Sequence, residues 1–244
     1  MRMIQLPNLR ELETRGYLTL HRVFDSGELD QFTQGLGASL AEAPEATVRG
    51  QSGIVYAARN ILSLWPPARD VWRVPPLQEM LRSALGPNFG LVRALFFDKP
   101  PGQTWALPWH KDLTIAVRDN RRPSPQFSKP TRKAGVPHVE APRELLENML
   151  TARIHLEAAT EENGPLCVIP GSHRDGKIMS LGGVPPVTLY ADRGDVLLIR
   201  PLVTHCSSHS HPETNCHRRI LHLEFAANSE LPDGYVWHDF IPAA

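Results

Sequence analysis

Cysteine is scarce in this 244-residue chain, which has only Cys167, Cys206 and Cys216. Their odd number and irregular spacing argue against a disulfide framework and fit a reducing, cytoplasmic compartment. Long apolar runs are missing as well. None reaches the ~18–20 residues needed to span a bilayer. The opening stretch, Met1 to Gly16, is charged and broken by Pro7, unlike a signal peptide. Neither sign of charge is in excess, because 26 basic residues balance 26 acidic ones. A nucleic-acid surface or a basic membrane patch is therefore not expected. Internal repeats and low-complexity runs are also absent.

Proline, by contrast, is plentiful. The 23 prolines are about twice the usual ~5% share and favour a loop-rich, β-containing fold over a helix bundle. The length suits one domain with an insertion. Helical signals come first. Asn8 caps a short helix over 8–15, and Asp25-Ser26 starts a second over about 27–42, with Leu29, Phe32, Leu36 and Leu40 on one face. A third covers Leu77 to Leu85 and ends at Gly86-Pro87. From Leu91 onward short strands alternate with Gly/Pro turns: 91–97, 110–117, 152–158, 165–169, 187–190, 196–199 and 218–225. Pro142 opens one further helix, 143–150. This order predicts a mainly β fold with α elements, a double-stranded β-helix (jelly-roll) barrel flanked by N-terminal helices. We place the helical layer in 1–90 and the barrel in 91–228. Residues 118–142 form a polar, lid-like insertion with five prolines.

One short stretch carries chemistry. In a strand, His110 and Asp112 of Trp109-His110-Lys111-Asp112 share a face while Lys111 points away. An imidazole and a carboxylate so placed can supply two ligands of a facial triad, which suits non-heme Fe(II) because it leaves coordination positions open. A histidine hydrogen-bonded to an aspartate at a strand end is the plainer reading. His205, 93 positions after Asp112, follows a turn-strand-turn unit and is the third-ligand candidate; His209 and His211 are its rivals. Arg218 begins the last long strand. An arginine inside a barrel needs an anion, and its planar fork binds a carboxylate through two hydrogen bonds. Only one of Arg218 and Arg219 can point inward.

Three segments together resemble the phytanoyl-CoA dioxygenase family: His110-x-Asp112; Glu161-Glu162-Asn163-Gly164-Pro165 running on to Pro170-Gly171-Ser172-His173; and His205-x-Ser207 followed by Arg218. The N-terminal Gly16-Tyr17-Leu18-Thr19-Leu20 and the helix after Asp25 are also similar to that family's opening. The resemblance implies an Fe(II)- and 2-oxoglutarate-dependent oxygenase on a double-stranded β-helix. It makes His110, Asp112 and His205 the iron ligands. It makes Arg218 the anchor of the 2-oxoglutarate C5 carboxylate, with Ser207 as a second contact. The implied reaction hydroxylates an unactivated C–H bond and releases succinate and CO2; desaturation or ring closure is open to the same oxidant. O2 and a small-molecule substrate are the expected partners. Relatives that halogenate have a small residue in place of the carboxylate, so Asp112 argues for hydroxylation. The Pro170–His173 turn reads as structural.

Arg118, Arg121, Arg122, Lys129, Arg132, Lys133 and His138 make the insertion basic. It is either a solvated loop or a lid that attracts an anionic substrate. Phe97, Trp105 and Trp109 read as core, with an apolar pocket wall as the alternative. Two other functions are weighed against the oxygenase. One is a relative that binds metal or 2-oxoglutarate without turnover. The other is a cupin-like metal-dependent hydrolase or isomerase, for which His209-x-His211 is the only tight histidine pair.

Overall fold

The computed structural model describes residues 9–50, 53–102 and 104–243. The helix α1 (Leu9–Arg15) leads into β1 (Tyr17–Leu20) and then α2 (Ser26–Ala41). The expected cap Asn8 lies outside the described residues. At α2 the Asp25 carboxylate accepts the Glu28 N–H, and the Glu28 carboxylate accepts the Asp25 N–H, so both ends of a capping box are made. The short strands β2 (Thr47–Arg49) and β3 (Val55–Ala58) follow, then α3 (Ile61–Leu64) and α4 (Pro75–Leu85). The first 90 residues are thus not purely helical, because β1, β2 and β3 all join the large sheet.

The β region comprises β4 (Gly90–Lys99), β5 (Leu107–His110), β6 (Thr114–Ala116), β7 (Ser128–Lys133) and β8 (Val136–Glu140), then α5 (Arg143–Glu147). After it come β9 (Met149–His155), β10 (Leu166–Val168), β11 (Val187–Leu189), β12 (Val196–Ile199), β13 (His205–Ser207), β14 (Arg218–Ala226) and β15 (Ile241–Pro242). The large sheet runs β1-β12-β9-β14-β4-β3-β2, with β15 added against β4. A four-stranded sheet, β11-β10-β13-β5, supplies the opposite wall. All pairings are antiparallel. This is the jelly-roll expected.

Two details differ from the sequence reading. The strand expected over 110–117 is broken into β5 and β6. Lys111 is buried there, and its ammonium donates to the carbonyls of Ser172 and Gly176 at 2.8 and 2.7 Å. The Asp112 N–H turns to the Pro201 carbonyl at 3.0 Å. A buried ammonium must find acceptors, and here meeting them draws the chain out of the ladder. Residues 118–142 are not all loop. Within them β7 and β8 form a hairpin that pairs with β6 as a three-stranded sheet.

Strand alternation sorts the large sheet into two faces. Leu221, Leu223 and Phe225 of β14 pack with Ala94 and Phe96 of β4 and with Leu29, Leu36, Leu77 and Leu81 of the helices in one core. The other face looks into the barrel, and there β14 presents Arg218, Ile220, His222 and Glu224. Both faces are covered, so eight of the nine β14 residues are buried. Along this strand, Arg218, His222 and Glu224 mark the functional face, and Leu221, Leu223 and Phe225 mark the core.

Candidate metal centre

β5 and β13 are adjacent, and His110 stands directly opposite His205. Their rings lie 4.2 Å apart, centroid to centroid. Asp112, two residues past the strand end, brings its Oδ2 to 3.7 Å from His205 Nε2. One ligand atom from each of His110, Asp112 and His205 falls within 4.8 Å of the others. It is the one such group among the described residues. His209 and His211 are exposed and stand outside it. His173 points away, its Nε2 at 3.1 Å from the Glu13 carbonyl.

The tautomers suit a metal. His110 Nδ1 lies 2.7 Å from the Pro108 carbonyl, and His205 Nδ1 lies 2.9 Å from the Val203 carbonyl. A carbonyl only accepts, so each Nδ1 carries the proton and each Nε2 offers a lone pair. Burial pushes the His205 imidazole down to about 4, so it is neutral near pH 7. Burial works the other way on Asp112, but His205, His222, His110 and Arg93 outweigh it and hold the carboxyl down at about 2. Two imidazoles and one carboxylate make the donor set that Fe(II) sites use.

Behind the triad lies a cavity of about 470 Å³, counting its open mouth. Phe97 and Trp105 line it and Trp109 does not, so two of the three aromatics read as core face the site instead. Arg218 enters it from the start of β14 and is 2% exposed. Its Nη1 donates to the Gly164 carbonyl at 2.6 Å, and its Nε has no partner. It makes no ion pair among the described residues. Arg219 points the other way, to Asp98 at 3.3 Å and Glu157 at 3.6 Å. Burial and the neighbouring Arg153 push Arg218 down to about 9, still protonated at neutral pH. Ser207 is buried beside it, its hydroxyl 3.2 Å from the Lys99 ammonium. A buried cation without a counter-ion and with a free N–H is a fitting seat for a carboxylate.

Sequence reasoning passed over several residues at this site. Lys99 is fully buried and stands opposite Arg218 in the β4–β14 register. It donates to the carbonyls of Gly164 and Ser208, and burial followed by Arg218 pushes it down to about 6. Deeper in, Arg153 Nη1 donates to His222 Nδ1 at 3.2 Å, and His222 Nε2 donates to Glu224 at 3.2 Å. Arg93 pairs with the same carboxylate. The signal was present: counting by twos from Arg218 reaches His222 and Glu224, and counting back from Lys99 reaches Phe97, Leu95 and Arg93.

A model of the phytanoyl-CoA dioxygenase family matches residues 12–219. Among solved structures, the non-heme α-ketoglutarate-dependent carbocyclase SnoK from nogalamycin biosynthesis superposes with a TM-score of 0.66 at 16% identity. That alignment covers 93% of this chain and 87% of SnoK. The epimerase SnoN in complex with Fe3+, α-ketoglutarate and nogalamycin RO gives 0.64 at 16% identity, covering 92% and 89%. EctD from S. alaskensis with bound Fe gives 0.64 at 19% identity, covering 95% and 82%. At these identities the likeness speaks for the fold. No curated protein matches the chain.

Proposed function

The chain belongs to the phytanoyl-CoA dioxygenase family, whose members use Fe(II) and 2-oxoglutarate, and on that premise we propose that it hydroxylates an unactivated C–H bond of a small-molecule substrate. His110, Asp112 and His205 hold the iron. Arg218, with Ser207, binds the far carboxylate of 2-oxoglutarate. When bound, the iron and the co-substrate supply the oxidising chemistry, with succinate and CO2 as co-products. The protein's own work is placement. The Pro108 and Val203 carbonyls fix both rings so that each Nε2 faces the same point. Phe97, Trp105 and Leu95 give the cavity apolar walls that keep water from the reacting carbon. Asp112 fills the third ligand position with a carboxylate, which supports hydroxylation over transfer of a halide. The carbocyclase and the epimerase among the neighbours share the fold, so the reaction's outcome depends on how each cavity holds its own substrate.

The observation that carries this reading is that the triad and Arg218, buried and without a counter-ion among the described residues, line a single cavity. Anaerobic Fe(II) titration by calorimetry tests the triad. His205→Ala or Asp112→Ala is expected to weaken binding by more than the roughly 10–100-fold that loss of a supporting hydrogen bond costs. The double change His209→Ala and His211→Ala is expected to leave it unaltered. The reverse pattern would favour the hydrolase reading.

A further inference from the structure

A second cavity, of about 320 Å³ counting its open mouth, lies next to the first and shares Arg93 and Leu95 with it. Its other walls come from Arg59 and Asn60 before α3, from Val136 and His138 of β8, and from His238 and Asp239 near the C-terminal end. Asn60 Nδ2 donates to the Ala134 carbonyl at the tip of the β7–β8 hairpin, at 3.0 Å, and ties the first two walls together.

The basic residues of the hairpin region separate into two sets. Arg121 pairs with Asp119, Lys129 with Glu140, and Arg122 and Arg132 donate to nearby backbone carbonyls. Lys133 and His138 turn inward instead. The Lys133 ammonium donates to Thr114 Oγ1 at 3.1 Å, and burial, Arg93 and Arg59 together lower its pKa. Arg59 has no side-chain hydrogen bond or ion pair among the described residues. Burial and Arg93 depress it, against a weaker pull from Glu224. The Glu224 carboxylate is already engaged by Arg93 and His222. Asp239 stands on the far wall, 3.9 Å from His238 and partly in solvent. His138 is 3% exposed. Its Nδ1 donates to the Val136 carbonyl at 3.0 Å, while Nε2 is buried without a partner.

We propose that this second cavity is a substrate subsite for an anionic oxygen group, a carboxylate or a phosphate, held by Arg59 against His138. The proposal rests on the oxygenase reading above and names the class of molecule that reading accepts. The guanidinium of Arg59 supplies the fork for two oxygens, and Lys133, outside the cavity wall but close enough to Arg59 and Arg93 to feel their charge, adds positive potential. His138 Nε2 accepts a hydroxyl hydrogen of the ligand in its neutral form, and donates to an oxygen once protonated. The two cavities share Arg93 and Leu95 as walls, so an anion seated here places the rest of the molecule beside the metal cavity. It also sets which carbon is presented there.

The test uses the anaerobic Fe(II)–2-oxoglutarate complex, titrated by calorimetry with sulfate and separately with acetate, at ionic strength fixed with sodium chloride. Sulfate stands for a phosphate group and acetate for a carboxylate. Saturable binding of at least one is expected in the wild type, about tenfold weaker in Arg59→Met, as loss of a charge-assisted hydrogen bond implies. Arg132→Met, on the same hairpin but outside the cavity, is expected to bind like the wild type. The anion that binds more tightly identifies the group. Absence of saturable binding in the wild type, or equal binding in Arg59→Met, would overturn the subsite. The visible absorption band of the Fe(II)–2-oxoglutarate complex is recorded in the same samples. A band without Arg59-dependent binding sinks the subsite alone. A missing band strikes the oxygenase reading, while the Arg59 dependence still reports on the cavity.

Discussion

Ser172 is buried, and its hydroxyl donates to the Ile169 carbonyl at 2.7 Å while accepting the Thr204 N–H at 2.8 Å. Thr204 precedes His205, so this hydroxyl sets where the metal-facing strand begins. Ser172→Ala leaves a buried N–H unpaired. We expect a loss of about 1–3 kcal/mol in urea unfolding, together with weaker Fe(II) binding. An unchanged midpoint would show that the bridge does not brace His205. Residues of this kind were only half legible. The Pro170–His173 turn was read as structural, but its partner Thr204 could not be read, since nothing local in sequence links positions 32 apart. His110, Asp112 and His205 were legible because metal-type side chains are few and spaced distinctively. Lys99 and Arg153 were not. A basic residue between Asp98 and Pro100, or alone between apolar neighbours as Arg153 is, usually reaches water, and only the closed barrel shows that these two do not.

The turn between β9 and β10 matters as an element because one carbonyl in it accepts from two buried basic side chains. Gly164 has φ +65°, and its carbonyl accepts from both Lys99 and Arg218. A Cβ there would stand 2.4 Å from the Ser208 carbonyl oxygen. Gly164→Ala therefore combines left-handed strain with a backbone clash. We expect about 2 kcal/mol or more of destabilisation and weaker 2-oxoglutarate binding, while Gly135→Ala in the hairpin turn affects stability only. Equal 2-oxoglutarate affinity in wild type and Gly164→Ala would separate this turn from the site. Element types and order were largely legible from alternation and Gly/Pro punctuation. The break after His110 was not, since it depends on where the Lys111 ammonium finds carbonyls. The β7–β8 hairpin was hidden by its prolines and charges, which read locally as loop; its pairing with β6 is a tertiary contact.

Across the whole molecule, burying imidazoles has a pH consequence. Burial, then Arg153 and Arg218, push His155 down to about 3, and burial chiefly pushes His138 down to about 4, both from 6.5. The folded protein then resists protons that the unfolded chain accepts below about pH 6.5. Stability of the metal-free protein is thus expected to fall as pH drops from 6.5 toward 4, before the carboxylates titrate. His155→Gln should flatten that slope in thermal unfolding. A flat profile from pH 7 to 4.5 in the wild type would mean these rings are not held neutral. The jelly-roll class was legible from proline content and strand count, and the two-faced large sheet from the alternation of β14. The second cavity was not, because its walls come from five segments far apart in sequence. One measurement bears most directly on the central claim that the triad and Arg218 hold Fe(II) and 2-oxoglutarate together. It is anaerobic titration of the Fe(II) protein with 2-oxoglutarate, following the visible metal-to-ligand band in wild type, Arg218→Met and Arg219→Met. The account predicts a saturable band in wild type, a similar titration in Arg219→Met, and at least about tenfold more 2-oxoglutarate for Arg218→Met, as loss of a charge-assisted pair implies. No band in wild type, or the same titration in Arg218→Met, would contradict it.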